Sequence, residues 1–235
     1  MSNFNIAIIP ARGGSKRIHK KNIRNFIGKP MISYAIEAAK SSQLFESIIV
    51  TTDSSEIADI SINLGVDQVI NRPDNLADDF TPTVPVMSHA IKQLQVKGKL
   101  QEYNVCCIYP TNPFLEITTL KQGLSLLLEN SEVNYTLPIS DFGYPIQRSV
   151  RYSPDNHRIS MFNPEYALTR SQDLEMAYHD VGQWYWGRTK TWLNEEKLLD
   201  NCLGVLVPRW KSQDIDNEDD WIRAEMLYRI INQRD

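Results

Sequence analysis

The stretch IAIIPARGGSKRIHKKNI runs from Ile6 to Ile23 and passes from apolar to strongly cationic within a few residues. Ile6–Pro10 is an unbroken apolar run ended by a proline. That composition suits a strand buried on both faces, as in a parallel sheet. Gly13 and Gly14 can take positive φ and let a ligand approach the backbone. Consecutive N–H groups in such a turn form an anion-binding hollow. Arg12, Lys16, Arg17, Lys20 and Lys21 surround it. Arginine offers phosphate oxygens a planar fork, and lysine a point charge. The loop reads as a triphosphate cradle, with a solvated basic turn as the alternative. Neither GxxxxGK[ST] nor GxGxxG occurs, which excludes a P-loop and a dinucleotide fingerprint.

Outward from this loop, strand and helix patterns alternate. Met31–Lys40 has helical apolar spacing, and Ser47–Thr52 reads as a second buried strand. Asp53 and Glu56 are spaced as a capping box, predicting a helix from Asp53 as N-cap through about Leu64. Val66–Ile70 reads as strand, Thr83 to about Lys97 as helix, Val105–Tyr109 as strand, Thr118–Asn130 as helix, and the segment from Tyr135 as strand. Such alternation predicts a mostly parallel α/β sheet flanked by helices. Ligands of such sheets bind beyond the strand carboxyl ends. The cationic loop, "TTD" and "YPTNPF" all leave strands at that edge. From Ser140 to Trp186 the alternation fails in a polar, aromatic, proline-bearing stretch. It reads as an insertion within one domain spanning 1–235. Leu203–Val207 is apolar again, and an amphipathic helix is expected from about Glu218.

Composition narrows the function. The chain has 235 residues, 42% hydrophobic and 23% charged, enough for a sizeable core. A net charge of -4 argues against a broad nucleic-acid surface. No apolar run approaches the ~20 residues that span a bilayer, and the early strand leaves no evident signal peptide. A cytoplasmic protein without membrane or nucleic-acid partners is expected. Cys106, Cys107 and Cys202 form no CxxC and read as reduced, mostly buried thiols.

Asp214 and Asp216 flank Ile215 in an extended segment, so their carboxylates share one face. Two such groups repel unless a cation lies between them, and Mg²⁺ favours one or two carboxylates plus phosphate oxygens. An acidic helix start is the alternative. Arg72 could meet phosphate or pair with a nearby aspartate, Asp78 or Asp79. Arg170 could meet a ligand carboxylate or pair with Asp173 or Glu175. His89 and His157 read as structural or solvated, and His179 with Asp180 as a candidate pair. The aromatics of "GQWYW" suit a core or an interface better than a sugar platform.

"IPARGGSKRIHKKN", "IIVTTDSSEIA", "NRPDNLADD", "YPTNPF", "TRSQDLE" and "DIDNEDD" follow in this order. They resemble the cytidylyltransferases that activate nine-carbon keto sugar acids, the CMP-sialic acid synthetase family. The resemblance covers nearly the whole chain. It implies a Rossmann-like nucleotidyltransferase fold and a reaction of CTP with a nonulosonic acid, giving a CMP-sugar and pyrophosphate. It implies Mg²⁺, with Mn²⁺ able to substitute, and a homodimer in which the insertion (140–186) completes the neighbour's sugar site. Ala11, Arg12, Gly13, Gly14, Ser15, Lys16, Lys21 and Asn22 match the nucleotide loop. Arg72, Asp79 and Thr83 match further nucleotide positions, and Asp214 with Asp216 the metal pair. Arg12, Lys16, Lys21 and Asp216 would carry the catalysis. Tyr109, Thr111, Gln147, Arg170, His179 and Gln183 fall at the sugar end. There the sialic acid enzymes read "LLQPTSP" and "NGAIYI" where this chain reads "CIYPTNPF" and "GQWYW". Tyr109 thus replaces a glutamine. "YPIQRSV", "TRSQDLEMAYHD" and "GQWYW" point to the pseudaminic acid branch, with sialic and legionaminic acids as alternatives. A non-catalytic nucleotide sensor is a weaker reading, since a mere binder has little use for the aspartate pair.

Overall fold

The computed structural model describes residues 4–96 and 102–232. In chain order the elements are β1 (Asn5–Pro10), the short pair β2 (Asn25–Phe26) and β3 (Lys29–Pro30), α1 (Ile32–Ser42), β4 (Ser47–Thr52), α2 (Ser55–Asn63) and β5 (Gln68–Asn71). Then come α3 (Thr83–Val96), β6 (Asn104–Ile108), α4 (Ile117–Glu129), β7 (Tyr135–Asp141), β8 (Val150–Tyr152) and β9 (Ile159–Met161). The chain continues through β10 (Tyr178–Asp180), β11 (Trp184–Arg188), α5 (Thr189–Leu193), β12 (Cys202–Leu206) and α6 (Glu218–Asn232). The expected end of α3 near Lys97 lies outside the described residues.

Eight strands form one sheet in the order β10-β7-β11-β6-β1-β4-β5, with β12 also paired to β7. β1 pairs in parallel with β4 and β6, β4 with β5, and β12 with β7. The sheet is therefore mostly parallel and helix-covered on both sides. Along β1, side chains alternate between two cores. Ala7 and Ile9 pack with α1, α2 and α4 residues such as Ile36, Ile57 and Leu124. Ile6 and Ile8 pack with α3 residues such as Met87 and Ile91, and with Trp192 of α5. This two-sided burial explains the continuous apolar run.

Two local expectations need correction. The N-cap of α2 is Ser54, whose side chain accepts from Ile57 N–H, and not Asp53. Asp53 instead accepts a hydrogen bond from the Gly13 N–H at 2.8 Å. The loop has taken its carboxylate, and the next residue caps the helix. Positive φ at Gly13 and Gly14 is also absent; among the described residues the glycines that adopt it are Gly28, Gly65 and Gly182. Gly13 is needed for closeness, because a Cβ there would sit 3.0 Å from Ser54 Cβ.

The stretch where alternation fails is only partly an excursion. β10 and β11 return to the main sheet, and β11 lies antiparallel between β6 and β7. Trp184 and Trp186 point into the first core and Tyr185 into the second. "GQWYW" is thus a central strand. A Cβ on Gly123 would lie 2.2 Å from the Trp184 ring, so glycine is what lets α4 rest on that tryptophan. Outside the sheet, 142–177 forms the β8–β9 hairpin and several turns. It exposes Tyr144, Tyr152, Ile159, Phe162, Leu168 and Met176.

Candidate active site

The cationic loop leaves β1 and is tied to its neighbours by specific bonds. Ala11 N–H donates to Thr51 O at 3.0 Å, fastening the loop to β4. Buried Asn22 donates from Nδ2 to Arg12 O at 2.8 Å, closing the loop on itself. Lys21 Nζ donates to Ile215 O at 2.7 Å, joining it to the DID segment. Most of the loop's cations hold a carboxylate of the chain. Arg12 and Lys16 meet Asp79 at 2.6 and 2.5 Å. Arg17 and Lys21 meet Asp216 at 2.8 and 3.5 Å, and Lys20 meets Glu56 at 2.6 Å. Hydrogen bonds from Lys16 and Arg12 hold the Asp79 carboxyl below the usual carboxylate range. Asp78 is also lowered, by hydrogen bonds from Thr81 and Phe80 that order the same turn.

Beside the loop opens a crevice lined by Pro10, Arg12, Ser15, Lys21, Asn22, Arg72, Thr81, Thr83, Val86, Tyr109, Pro110 and Thr111. Eight residues expected at the substrates therefore meet there: Arg12, Ser15, Lys21, Asn22, Arg72, Thr83, Tyr109 and Thr111. Arg72 is buried at its base and donates from Nη2 to Thr51 O at 2.8 Å. Its Nε has no hydrogen-bond partner. Burial lowers its pKa to about 10 against the opposing charge of Asp53, so it stays a cation at neutral pH. Among the described residues no ion pair joins Arg72 to Asp78, Asp79 or another carboxylate, so its guanidinium is not spent on an aspartate.

A second crevice adjoins the first, lined by Tyr109, His179, Asp180, Val181, Gly182, Tyr185, Ser212 and Asp214. Tyr109 lines both. Desolvation raises its phenol well above the ordinary tyrosine value, so it remains a neutral donor and acceptor. His179 and Asp180, the candidate pair, line this crevice together, and their side chains make separate bonds. His179 Nδ1 meets the Asp180 backbone oxygen at 2.9 Å. The Asp180 carboxylate instead receives Tyr185 Oη at 2.5 Å and Gly182 N–H at 2.8 Å. Gln183 is buried and spends its Nε2 on Lys211 O, while its own carbonyl accepts from Tyr109 N–H. It positions Tyr109 and faces neither crevice. Gln147 donates to Glu175 O, and Arg170 forms a two-point pair with Asp173. Both lie in the excursion, outside the linings of these two crevices.

Asp214 and Asp216 flank Ile215, which is buried in the third core with Trp221 and Phe26. That burial turns both carboxylates outward, Asp214 to the second crevice and Asp216 to Arg17 and Lys21. Desolvation and then the charge of Asp216 raise the Asp214 carboxyl above its ordinary value. Two adjacent carboxylates under mutual repulsion form a donor set that suits Mg²⁺ with substrate phosphates. No cluster of three or more His, Cys, Asp or Glu side chains occurs among the described residues.

Comparison with known proteins fits this geometry. Residues 6–193 match the family model described as cytidylyltransferase. The chain belongs to the cytidylyltransferase family. It is a nucleotidyltransferase. It is 39% identical to the pseudaminic acid cytidylyltransferase of Campylobacter jejuni subsp. jejuni serotype O:2 over 97% of this chain and 98% of that one. It is 29% identical to an N-acylneuraminate cytidylyltransferase of Escherichia coli O18:K1:H7, over 97% of this chain and 53% of that protein. Among solved structures, a CMP:2-keto-3-deoxy-manno-octonic acid synthetase complexed with CTP superposes with a TM-score of 0.69. That match has 15% identity and covers 99% of this chain and 100% of the other, so it shows the fold. No helix among the described residues is long and apolar enough to cross a membrane.

Sequence reasoning missed Asp53 as the anchor of Gly13, Arg17 as a partner of Asp216, and Asp180 with Tyr185 as the frame of Tyr109. Asp53 carried a signal, since it ends "TTD" at the sheet edge. Tyr185 carried none, because nothing local marks it as facing a crevice.

Proposed function

We propose that this chain transfers CMP from CTP to the anomeric hydroxyl of a nonulosonic acid, pseudaminic acid, with release of pyrophosphate. The observation that carries this reading is the meeting of the cationic loop and the aspartate pair. Arg17 and Lys21 reach Asp216, while Asp214 faces the adjoining crevice. A triphosphate on the loop then has its α-phosphate beside a metal-binding pair and beside a second pocket. The full-length likeness to the Campylobacter enzyme supports the choice of sugar acid.

Arg12, Lys16 and Lys21 neutralise charge that builds on the β- and γ-phosphate oxygens as pyrophosphate departs. Positioning and such electrostatics dominate phosphoryl-type transfer. The backbone at Ala11, Gly13, Gly14 and Ser15 leaves room for the phosphates, and a Cβ on Gly14 would meet nothing within 4 Å. Asp79 is the loop's own anion, and the triphosphate takes over its cations. Asp214 and Asp216 would hold Mg²⁺, or Mn²⁺ in its place. When bound, the metal supplies positive charge to the α-phosphate and favours deprotonation of the attacking hydroxyl. Tyr109 and His179 face the sugar acid, with Thr111 at the boundary. Gln147 and Arg170 reach a sugar site only across a dimer. The exposed apolar excursion supports a homodimer in which each copy completes the other's sugar site. A reaction that consumes CTP suits a cytoplasmic location.

Pyrophosphate release with CTP and Mg²⁺ tests the reading, with pseudaminic and N-acetylneuraminic acids compared. Strong release with pseudaminic acid alone is expected. Release only with N-acetylneuraminic acid would keep the reaction and overturn the sugar assignment. Release with neither, across a panel of sugar acids, would favour a nucleotide sensor.

A further inference from the structure

Asp214 lies on an irregular stretch between the turn Arg209–Lys211 and helix α6. Among the described residues, the hydrogen bonds of 212–214 all stay within 209–215. The stretch is therefore placed by what grips its two ends. At the far end Ile215 is buried in the third core, and its carbonyl accepts from Lys21 Nζ at 2.7 Å. At the near end stands Lys211. Its N–H closes the turn on Pro208 O at 2.8 Å, its own carbonyl accepts from Gln183 Nε2 at 2.9 Å, and its Nζ pairs with the Glu116 carboxylate. Lys211 and Lys21 have the least exposed side chains of any ion-paired cation among the described residues, at 17% and 20%.

Both outward grips of Lys211 lead to one opposing wall. Gln183 O accepts from Tyr109 N–H at 2.9 Å. Glu116 closes the segment YPTNPFLE that begins at Tyr109, and two prolines stiffen it. Tyr109 and Asp214 both line the second crevice. Lys211 thus staples the 109–116 wall to the 211–214 wall at two points. A substitution at 211 leaves the backbone bond in place and removes the ion pair. Glu116 would then keep a half-buried charge without its partner, which is costly enough to pull the two walls apart.

We propose that Lys211, through Glu116, is a positioning residue that fixes where the Asp214 carboxylate stands relative to Tyr109. This rests on reading the second crevice as the sugar-acid site. Lys211 touches no substrate in that reading. It sets the spacing of the two groups that meet the sugar acid, and a small misplacement at a reacting site lowers rate and affinity steeply.

The test uses the full chain with Lys211→Met, which keeps the length of the side chain and loses its charge. Without substrates, amide hydrogen exchange should quicken about tenfold or more at Lys211 and Ser212, the scale of one charge-assisted hydrogen bond. Amides of β11 should not change. With CTP and Mg²⁺, KM for pseudaminic acid should rise by a similar factor while KM for CTP stays within about twofold. Glu116→Gln should match Lys211→Met, and the double variant should lose no more, since coupled residues are not additive. Lys211→Glu combined with Glu116→Lys should restore much of both readouts. Unchanged exchange at Lys211 and Ser212 would overturn the proposal. So would faster exchange spread evenly over the sheet, additive losses in the double variant, or an equal rise in both KM values. Exchange needs no ligand, so the staple is judged apart from the sugar reading. Absence of turnover with every sugar acid in the wild type would remove that reading instead.

Discussion

The two ends of the candidate site are built by opposite means. At the nucleotide end, charge is displayed on an exposed loop, and nearly every cation rests on an aspartate or glutamate that a ligand can replace. At the sugar end, Tyr109, Tyr185 and Asp180 are fixed through buried hydroxyls, and the strand beneath them is a tryptophan-rich part of the core. Exposed ion pairs contribute little to stability. Buried aromatics and their hydrogen bonds contribute much. The nucleotide end can therefore be altered without unfolding the chain, whereas the sugar end is coupled to the fold.

Trp186→Ala gives this contrast its largest test. Trp186 is fully buried, donates from Nε1 to Leu120 O at 3.1 Å, and stacks on Phe45 with ring centroids 5.2 Å apart. A loss of about 3–5 kcal/mol is expected, read from the urea midpoint. Arg12→Ala, at the other end, should leave the midpoint within about 0.5 kcal/mol. Equal losses from the two variants would break the contrast.

Asp216→Asn comes next. Turnover should fall by about 10²-fold or more, on the scale of a lost transition-state contact. CTP binding should persist, because Arg17 and Lys21 are freed rather than removed. Pyrophosphate release and CTP titration on the same preparation check this. Joint loss of binding and circular dichroism would mean that Asp216 supports the loop's structure.

A smaller effect is expected at Asp79, which holds Arg12 and Lys16. Asp79→Asn removes the chain's own competitor for those cations, so CTP should bind a few-fold more tightly at low salt. The gain should shrink as salt screens the loop. Weaker binding would show instead that Asp79 itself contacts the nucleotide, as the family resemblance implies.

The same contrast explains what was legible in the sequence. The nucleotide end is written in contiguous residues: one apolar strand, one glycine-bearing turn and its cations, with the DID pair a short motif elsewhere. Strands β1, β4 and β6 were visible because burial on both faces leaves an unbroken apolar signature. β11 was not, because "WYWGR" has neither a hairpin turn nor alternation, and its neighbours β6 and β7 are remote in the chain. The exchange of roles between Asp53 and Ser54 was hidden for a related reason. A capping pattern is local, but the Gly13 N–H that claims Asp53 arrives from forty residues away. Tyr109 could be singled out by resemblance, but the Tyr185–Asp180 frame that holds it exists only once β10 and β11 re-enter the sheet.

The smallest prediction concerns the one buried cation of the nucleotide end. Arg72 lies near His89, whose Nδ1 is buried without a hydrogen-bond partner. Burial first, and then the Arg72 charge, lower the His89 pKa below its ordinary value. A lowered histidine pKa means that the unfolded chain binds the proton before the folded one does. Stability from this group is therefore complete above the ordinary histidine value, and is lost as pH falls through that value toward the lowered one. Wild-type thermal stability should decline over that acidic window more steeply than that of His89→Gln, which carries no titrating group there. Melting temperatures of the two proteins across the window measure the difference, and other ionisable groups largely cancel in it. Parallel curves would mean that His89 takes its proton freely beside Arg72. The crevice base would then be solvated like the loop above it, and the nucleotide end would be exposed throughout instead of resting on one desolvated arginine.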